Sequence, residues 1–384
     1  MWYFRSPQVI FGEDSLSFLE SLSIKKAVIV TDKNIRKAGL VDIVKGNMPD
    51  TEILIVDDIP EEPKYRDMAK HLDDINNFSP EYFISIGGGS VIDSSKILFF
   101  KYERPDLEFY DVTPLVKLNL RKKSRLIAIP TTSGTGSECT WAAMVSDEME
   151  VRKDELASPE IMPDYAILDP QMVKSLPKAQ TINTATDAIT HAIEGYTSRW
   201  SNPYSDAMAE KAIDLIIPSI VKLVKNPENM EMRNNMHIGA SMAGLSFSNS
   251  QIGLAHALGH SLGAIFHVVH GKSVGVVLPS VIRFNYDSVR EKYNRLNNII
   301  PEEYREKTLD QSIVHIFRDI GQATRISEAG LDEKNFNDNL DKLVNLASES
   351  TGIITNPEDT GAQKSRIWFF NSILRCNSRV QAPL

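Results

Sequence analysis

Cysteine is nearly absent from this 384-residue chain. Its two cysteines, Cys139 and Cys376, are too few for a disulfide framework, and with no CxxC pair they exclude a cysteine-ligated zinc site. No apolar run approaches the roughly 20 residues that a bilayer requires. The opening MWYFRSPQVIFGED lacks the basic start and long apolar stretch of a signal peptide. Positive charge is also short. Lys and Arg number 42 against 51 Asp and Glu, a formal net charge of −9, which argues against nucleic acid or an anionic membrane as partner. No internal repeat, P-loop, HExxH or GxSxG elbow is found. The composition, 42% hydrophobic and 24% charged, is that of a globular protein. Length suggests two or three domains, and a soluble cytoplasmic protein is expected.

The two halves carry different patterns. Ala27–Thr31, Ile53–Val56, Phe83–Ile86 and Leu126–Ile129 are short runs rich in Ile and Val, bounded by Asp, Pro or Gly. Such runs fit strands buried on both faces of a parallel sheet. Between them lie helical patterns. Met68, His71, Leu72 and Ile75 form one stripe that predicts a helix over Lys64–Phe78. Alternating strands and helices predict a doubly wound α/β domain over residues 1–177. After Pro177 the strand signals stop. Asn183–Ser198, Ser205–Lys225, Met230–Phe247 and Gln251–Phe266 read as helices, so residues 178–384 are expected to form an all-α domain. The stretch after Pro357 has no clear pattern.

Two loops are suited to phosphate. In Ile86-Gly-Gly-Gly-Ser90 a strand meets a glycine turn and then a helix start, here placed after Ser90. Glycines let the backbone approach a ligand, and a helix N-terminus offers free N–H groups and a positive dipole end. The competing reading is a plain turn with Ser90 as helix cap. Thr131-Thr-Ser-Gly-Thr135 follows another strand and is rich in hydroxyls. Asp32 ends an earlier strand, where a carboxylate can grip an adenosine ribose. The spacing is not that of GxGxxG.

Half of the eight histidines fall within fifteen residues: His256, His260, His267 and His270. His256 and His260 are four apart and share a helix face, as do Asp187 and His191 upstream. An aspartate with several histidines and no cysteine suits iron(II) or zinc. Periodicity does not choose the ligands, because all four clustered histidines fall near one face if the helix runs straight through Gly263.

With these features together, the chain resembles the iron-containing (group III) alcohol dehydrogenases. The motifs are Gly87-Gly-Gly-Ser-Val-Ile-Asp93, Pro130-Thr-Thr-Ser-Gly-Thr-Gly-Ser-Glu138, Asp187-Ala-Ile-Thr-His-Ala-Ile-Glu194 and the run from His256 to Gly271. The resemblance implies a Rossmann-like α/β N-terminal domain binding NAD, with NADP as alternative. It also implies an all-α metal-binding domain, the dehydroquinate synthase-like architecture, with the site in the cleft between them. It makes Asp187, His191, His256 and His270 ligands of one divalent ion per chain, Fe2+ or Zn2+. His260 becomes a catalytic histidine near the nicotinamide, and His267 matches a variable position. Gly88, Gly89 and Ser90 match the pyrophosphate turn. Thr131, Thr132, Ser133 and Thr135 match the cofactor loop, Lys153 matches a lysine that reaches a ribose, and Asp32 matches the residue that reads the adenosine ribose. Glu62 stands where many members have an asparagine on the cofactor.

The implied activity is hydride transfer between an alcohol and NAD, giving an aldehyde or ketone and NADH. Glycerol dehydrogenase-like or hydroxy-acid dehydrogenase activity is the alternative on this fold, and a non-catalytic metal and nucleotide sensor a remote one. A small alcohol or aldehyde is the expected partner, with the chain as a homodimer or higher homo-oligomer. Tyr196, Trp200 and Tyr204 follow the metal helix and either wall the pocket or pack as core.

Overall fold

The structure, a computed structural model, describes residues 3–146 and 153–359. The chain divides into two compact units, one over Arg5–Leu176 and one over the residues from Pro177 on together with those up to Phe4.

At the centre of the first unit is a six-stranded parallel sheet. Its strands are β1 (Gln8–Phe11), β2 (Lys26–Val30), β3 (Glu52–Val56), β4 (Tyr82–Gly87) and β5 (Arg125–Pro130). An antiparallel hairpin of β6 (Ala142–Ser146) and β7 (Lys153–Ala157) precedes the sixth strand, β8 (Tyr165–Leu168). The order in space is β3-β2-β4-β5-β8-β1. Val28, Val30, Phe83 and Leu126 enter one core, while Ile29, Ile84, Ile127 and Ile129 enter the other. That alternation is why the sequence shows unbroken apolar runs: both faces of each inner strand are covered. β1, β8 and the hairpin carry weaker patterns and were not expected.

The helices of this unit are α1 (Phe18–Ser21), α2 (Lys33–Lys37), α3 (Leu40–Gly46), α4 (Tyr65–Ala69), α5 (Leu72–Phe78) and α6 (Gly89–Glu103). The single helix expected over 64–78 is two, α4 and α5. The break falls at Lys70 and His71, whose side chains both turn to Asp58, at 2.7 and 2.8 Å. The chain lays β3 on one side of β2 and then crosses to the other side for β4. At such a reversal the loops leaving the carboxyl ends of the strands diverge and make room for a ligand. Asp32, the glycine turn and the hydroxyl loop follow β2, β4 and β5, the strands at that place.

The second unit is helical, with no strand among its described residues. It comprises α7 (Lys178–Thr197), α8 (Pro203–Lys225), α9 (Met230–Ser248), α10 (Leu254–Phe266), α11 (His270–Asn285), α12 (Arg290–Ile299), α13 (Leu309–Ile320), α14 (Glu333–Asp338), α15 (Leu340–Ser348) and α16 (Gly352–Thr355). Ile189 and Ile193 of α7, Ile213 and Ile217 of α8, and Met236 and Ala240 of α9 share one core. Helix α8 starts as its sequence dictates: Asn202 accepts from the Tyr204 and Ser205 N–H groups, and Pro203 takes the first helical position. The straight helix through Gly263 needs correction. α10 passes Gly263 but stops at Phe266, because His267 takes a left-handed conformation at φ 56°. His270 therefore opens a separate helix, α11.

Candidate metal centre and cofactor loops

Asp187 and His191 sit one turn apart on α7, His256 in the first turn of α10, and His270 at the start of α11. The turn between α10 and α11 brings the last two back to α7. Asp187 Oδ1 lies 3.1 Å from His270 Nε2, 3.5 Å from His256 Nε2 and 3.9 Å from His191 Nε2. Ligands held at about 2.1 Å on a tetrahedron stand about 3.4 Å apart, so these distances fit a shared ion. The ligand atoms of Asp187, His256 and His270 all lie within 4.8 Å of one another. His191 stands beside that trio, its ring sandwiched between His256 at 4.3 Å and Phe247 at 4.1 Å. Asp187 Oδ1 and His256 Nε2 are buried without a hydrogen-bond partner among the described residues. Two buried polar atoms facing each other without hydrogen-bond geometry are what a metal would satisfy.

The electrostatics agree. Burial works against ionising Asp187, but His191 and His270 outweigh it and hold its carboxyl well below the usual carboxylate range. Burial also disfavours charge on His256, yet Glu194 and Asp187 push its imidazole up to about 9. The first shift keeps Asp187 anionic, and the second shows that Glu194 and Asp187 make the surroundings of His256 favourable to positive charge. Glu194, whose carboxylate lies 2.5 Å from His256 Nδ1, was not foreseen as part of the site. Its spacing held the signal, since Asp187, His191 and Glu194 at i, i+4 and i+7 share one face of α7.

The remaining histidines separate. His260, on α10, stacks its ring 5.1 Å from that of His270 and meets that of His256 edge-on at 5.8 Å, outside the mutually close trio. His267 is exposed at the turn. Of the three aromatic residues expected beyond the metal helix, Tyr196 lies within α7, buried in the core with its hydroxyl on Glu210, whereas Trp200 and Tyr204 are exposed.

In the α/β unit the expected loops come together. Thr31 Oγ1 donates to the Ile86 carbonyl (2.8 Å) and the Thr131 N–H to the Gly87 carbonyl (3.0 Å), tying the ends of β2, β4 and β5. A Cβ on Gly88 would meet Thr132 at 3.4 Å, and one on Gly89 would meet Thr135 at 3.0 Å, so glycine permits the two loops to touch. Thr131 and Ser133 are buried, Thr132 and Thr135 only partly. One detail is corrected. Helix α6 begins at Gly89 with Gly88 in the cap position, so Ser90 is inside the first turn and its hydroxyl donates to the Glu61 carbonyl at 2.6 Å. The backbone N–H groups of Gly89 and Ser90 open this helix without a carbonyl partner inside it. Asp32 caps α2, its Oδ1 accepting from the Asn34 and Ile35 N–H groups at 2.7 and 3.0 Å. Arg36 pairs with Asp57. Lys153 belongs to β7, and its side chain lies outside the described residues.

Known proteins match along the chain. Residues 6–170 match the family model for iron-containing alcohol dehydrogenase, and residues 181–366 that for the C-terminal part of the Fe-containing alcohol dehydrogenase family. The NADPH-dependent butanol dehydrogenase of Clostridium saccharobutylicum is 31% identical over 367 residues, covering 93% of this chain and 94% of that protein. The aldehyde-alcohol dehydrogenase 2 of Entamoeba histolytica is 36% identical over 76% of this chain, which spans only 36% of that longer protein. The solved iron-containing alcohol dehydrogenase of Thermococcus thioreducens superposes with a TM-score of 0.86 at 29% identity, covering 98% of this chain and all of that one. A parallel-sheet unit with its loops at the switch point, a helical unit with a carboxylate among histidines, and matches along both make this chain a member of the iron-containing alcohol dehydrogenase family, alcohol oxidoreductases that use NAD(P) and an iron ion.

Proposed function

We infer that Asp187, His191, His256 and His270 hold one divalent ion, iron(II) or zinc, and that the enzyme interconverts a short primary alcohol and its aldehyde with NAD. The observation that carries this reading is the convergence of three imidazole nitrogens on Asp187 Oδ1 at 3.1 to 3.9 Å. When bound, the ion supplies Lewis-acid activation of the substrate oxygen and the nicotinamide supplies the hydride acceptor. Asp187 contributes one negative charge and the imidazoles none, so the donor set leaves the site attractive to an alkoxide. His260 stands next to His270 and receives the hydroxyl proton at a ring nitrogen for delivery to solvent. The loops at 87–90 and 131–135 hold the pyrophosphate, with Lys153 on a ribose hydroxyl. Asp32 accepts from the adenosine ribose, while Lys33 and Arg36, the latter in an exposed pair with Asp57, are the cations that would favour the 2′-phosphate of NADP instead.

The butanol relative supports a short-chain substrate, and its NADPH requirement makes the cofactor choice worth testing. No helix among the described residues is long and apolar enough to cross a membrane. The scarcity of cysteine, two residues in the whole chain, supports a reducing, cytoplasmic setting, and family membership supports assembly of like chains. The deciding experiment offers butanol, propanediol, glycerol and lactate with each cofactor and follows NAD(P)H absorbance. A primary alcohol with NAD should be oxidised fastest, and removing metal with a chelator should abolish turnover until Fe2+ or Zn2+ is returned. Undiminished turnover by protein shown metal-free by elemental analysis would refute the reading.

A further inference from the structure

An imidazole can give a metal only one nitrogen, and the proton on its other nitrogen decides which one is available. That choice belongs to whatever accepts the second proton. For His256 the acceptor is visible. Its Nε2 faces Asp187 Oδ1 at 3.5 Å, while its Nδ1 lies 2.5 Å from Glu194 Oε2, and both side chains are buried. Glu194 makes two more bonds. Its Oε2 accepts from the Gly253 N–H at 3.0 Å and its Oε1 from the Ala255 N–H at 2.5 Å, groups at the start of α10 that have no partner within the helix. Gly253, in the cap position, has no side chain to satisfy them. A Cβ there would stand 2.9 Å from Glu194 Oε1, so glycine is what lets the carboxylate reach in. The segment leading into α10 is fastened at three of its carbonyls. Ser198 Oγ donates to the Ser250 carbonyl, Asn202 Nδ2 to that of Asn249 at 3.0 Å, and Thr355 Oγ1 to that of Ile252 at 2.6 Å.

From this geometry we propose that Glu194 is a positioning residue for the metal centre: it caps α10 and holds His256 with its proton on Nδ1, so that Nε2 is the nitrogen presented beside Asp187. The proposal rests on the ligand set inferred above. A cap alone would be a structural role, satisfied by any acceptor. Binding Nδ1 as well makes one carboxylate fix the position of the helix and the tautomer of the ring it carries.

The test uses the full chain, stripped of metal and titrated with Co2+, whose visible spectrum reports its ligands. Three variants accompany the wild type. Glu194→Gln keeps the size but carries only one acceptor oxygen. Thr355→Val loosens the segment before α10 without touching His256. His256→Ala removes the ligand itself. Glu194→Gln should weaken Co2+ binding about 10- to 100-fold, while Thr355→Val, even if its Tm falls as far, should bind Co2+ as the wild type does. Affinity within threefold of wild type for Glu194→Gln, or an equal loss for Thr355→Val, overturns the proposal. If His256→Ala binds Co2+ undiminished, the ligand assignment itself has failed; if it loses Co2+ while Glu194→Gln does not, only the role of Glu194 has. Should Glu194→Gln not fold, the zinc-loaded wild type labelled with 15N-histidine decides. A slowly exchanging proton on His256 Nδ1 supports the proposal, and a proton on Nε2 refutes it.

Discussion

Single residues at the site do more than one task, which shapes what a substitution reports. Asp32 is both the expected ribose acceptor and the cap of α2, through the Asn34 and Ile35 N–H groups. Glycine tolerates a cap position at a cost of only a few tenths of a kcal/mol, so Asp32→Gly tests the cofactor role with the fold intact. It should lower kcat/KM with NAD and raise it with NADP. A wild-type enzyme already faster with NADP would show that Asp32 does not exclude the 2′-phosphate. His260 poses the converse problem, since it shares a helix face with one proposed ligand and stacks on another yet stands outside the close trio. His260→Ala should retain its metal by elemental analysis while turnover falls on the order of 100-fold, with a flattened pH profile. Loss of metal in that variant would place His260 among the ligands.

At the scale of elements, glycines set how closely the metal helices approach. Gly271 lies next to His270 at the start of α11, and a Cβ there would fall 1.9 Å from the Asn183 carbonyl oxygen of α7. Neither atom is the tip of a flexible side chain, so alanine must push α11 away from α7. Gly271→Ala should cost about 1–3 kcal/mol and weaken metal binding as His270 withdraws from Asp187. At Gly263, inside α10, an added Cβ would meet only the Val268 carbonyl at 3.4 Å and Ser273 Oγ at 4.0 Å. Gly263→Ala should be neutral or stabilising by up to about 1 kcal/mol, the helix-propensity gain. Thermal denaturation of the two variants checks the contrast, and equal effects would mean that the contact at Asn183 is not what holds the helices.

For the molecule as a whole, buried ionisable groups make stability depend on pH. His237 of α9 is buried, and desolvation drives its imidazole down to about 4. An unfolded histidine titrates near 6.5. Between those values the unfolded chain binds a proton that the native chain refuses. Stability is therefore undiminished by this group above about pH 6.5, and falls as pH drops toward 4, by up to about 3 kcal/mol. Urea unfolding at pH 7.5 and 5 should show a smaller acid loss in His237→Asn than in the wild type. Parallel losses in the two proteins would assign the acid sensitivity elsewhere.

Wherever neighbours in the chain are neighbours in space, the sequence alone was sufficient. The buried strands betrayed themselves as unbroken Ile and Val runs because both sheet faces are covered, and the four long helices after Pro177 through their periodicity. Asp187 and His191 could be paired because one helical turn separates them, and the glycine and hydroxyl loops because each directly follows a strand. The edge strand β1 and the hairpin escaped because their short segments lack that doubly buried signature, and β8, although buried, because its apolar run is only Ala166, Ile167 and Leu168. Which clustered histidines face Asp187 was decided by the left-handed turn at His267, a backbone reversal that no periodicity announces. The grip of Glu194 on His256 spans 62 residues. It exists only once α7 and α10 are packed, because a hydrogen bond needs its two atoms within about 3 Å, and only the tertiary fold brings them there.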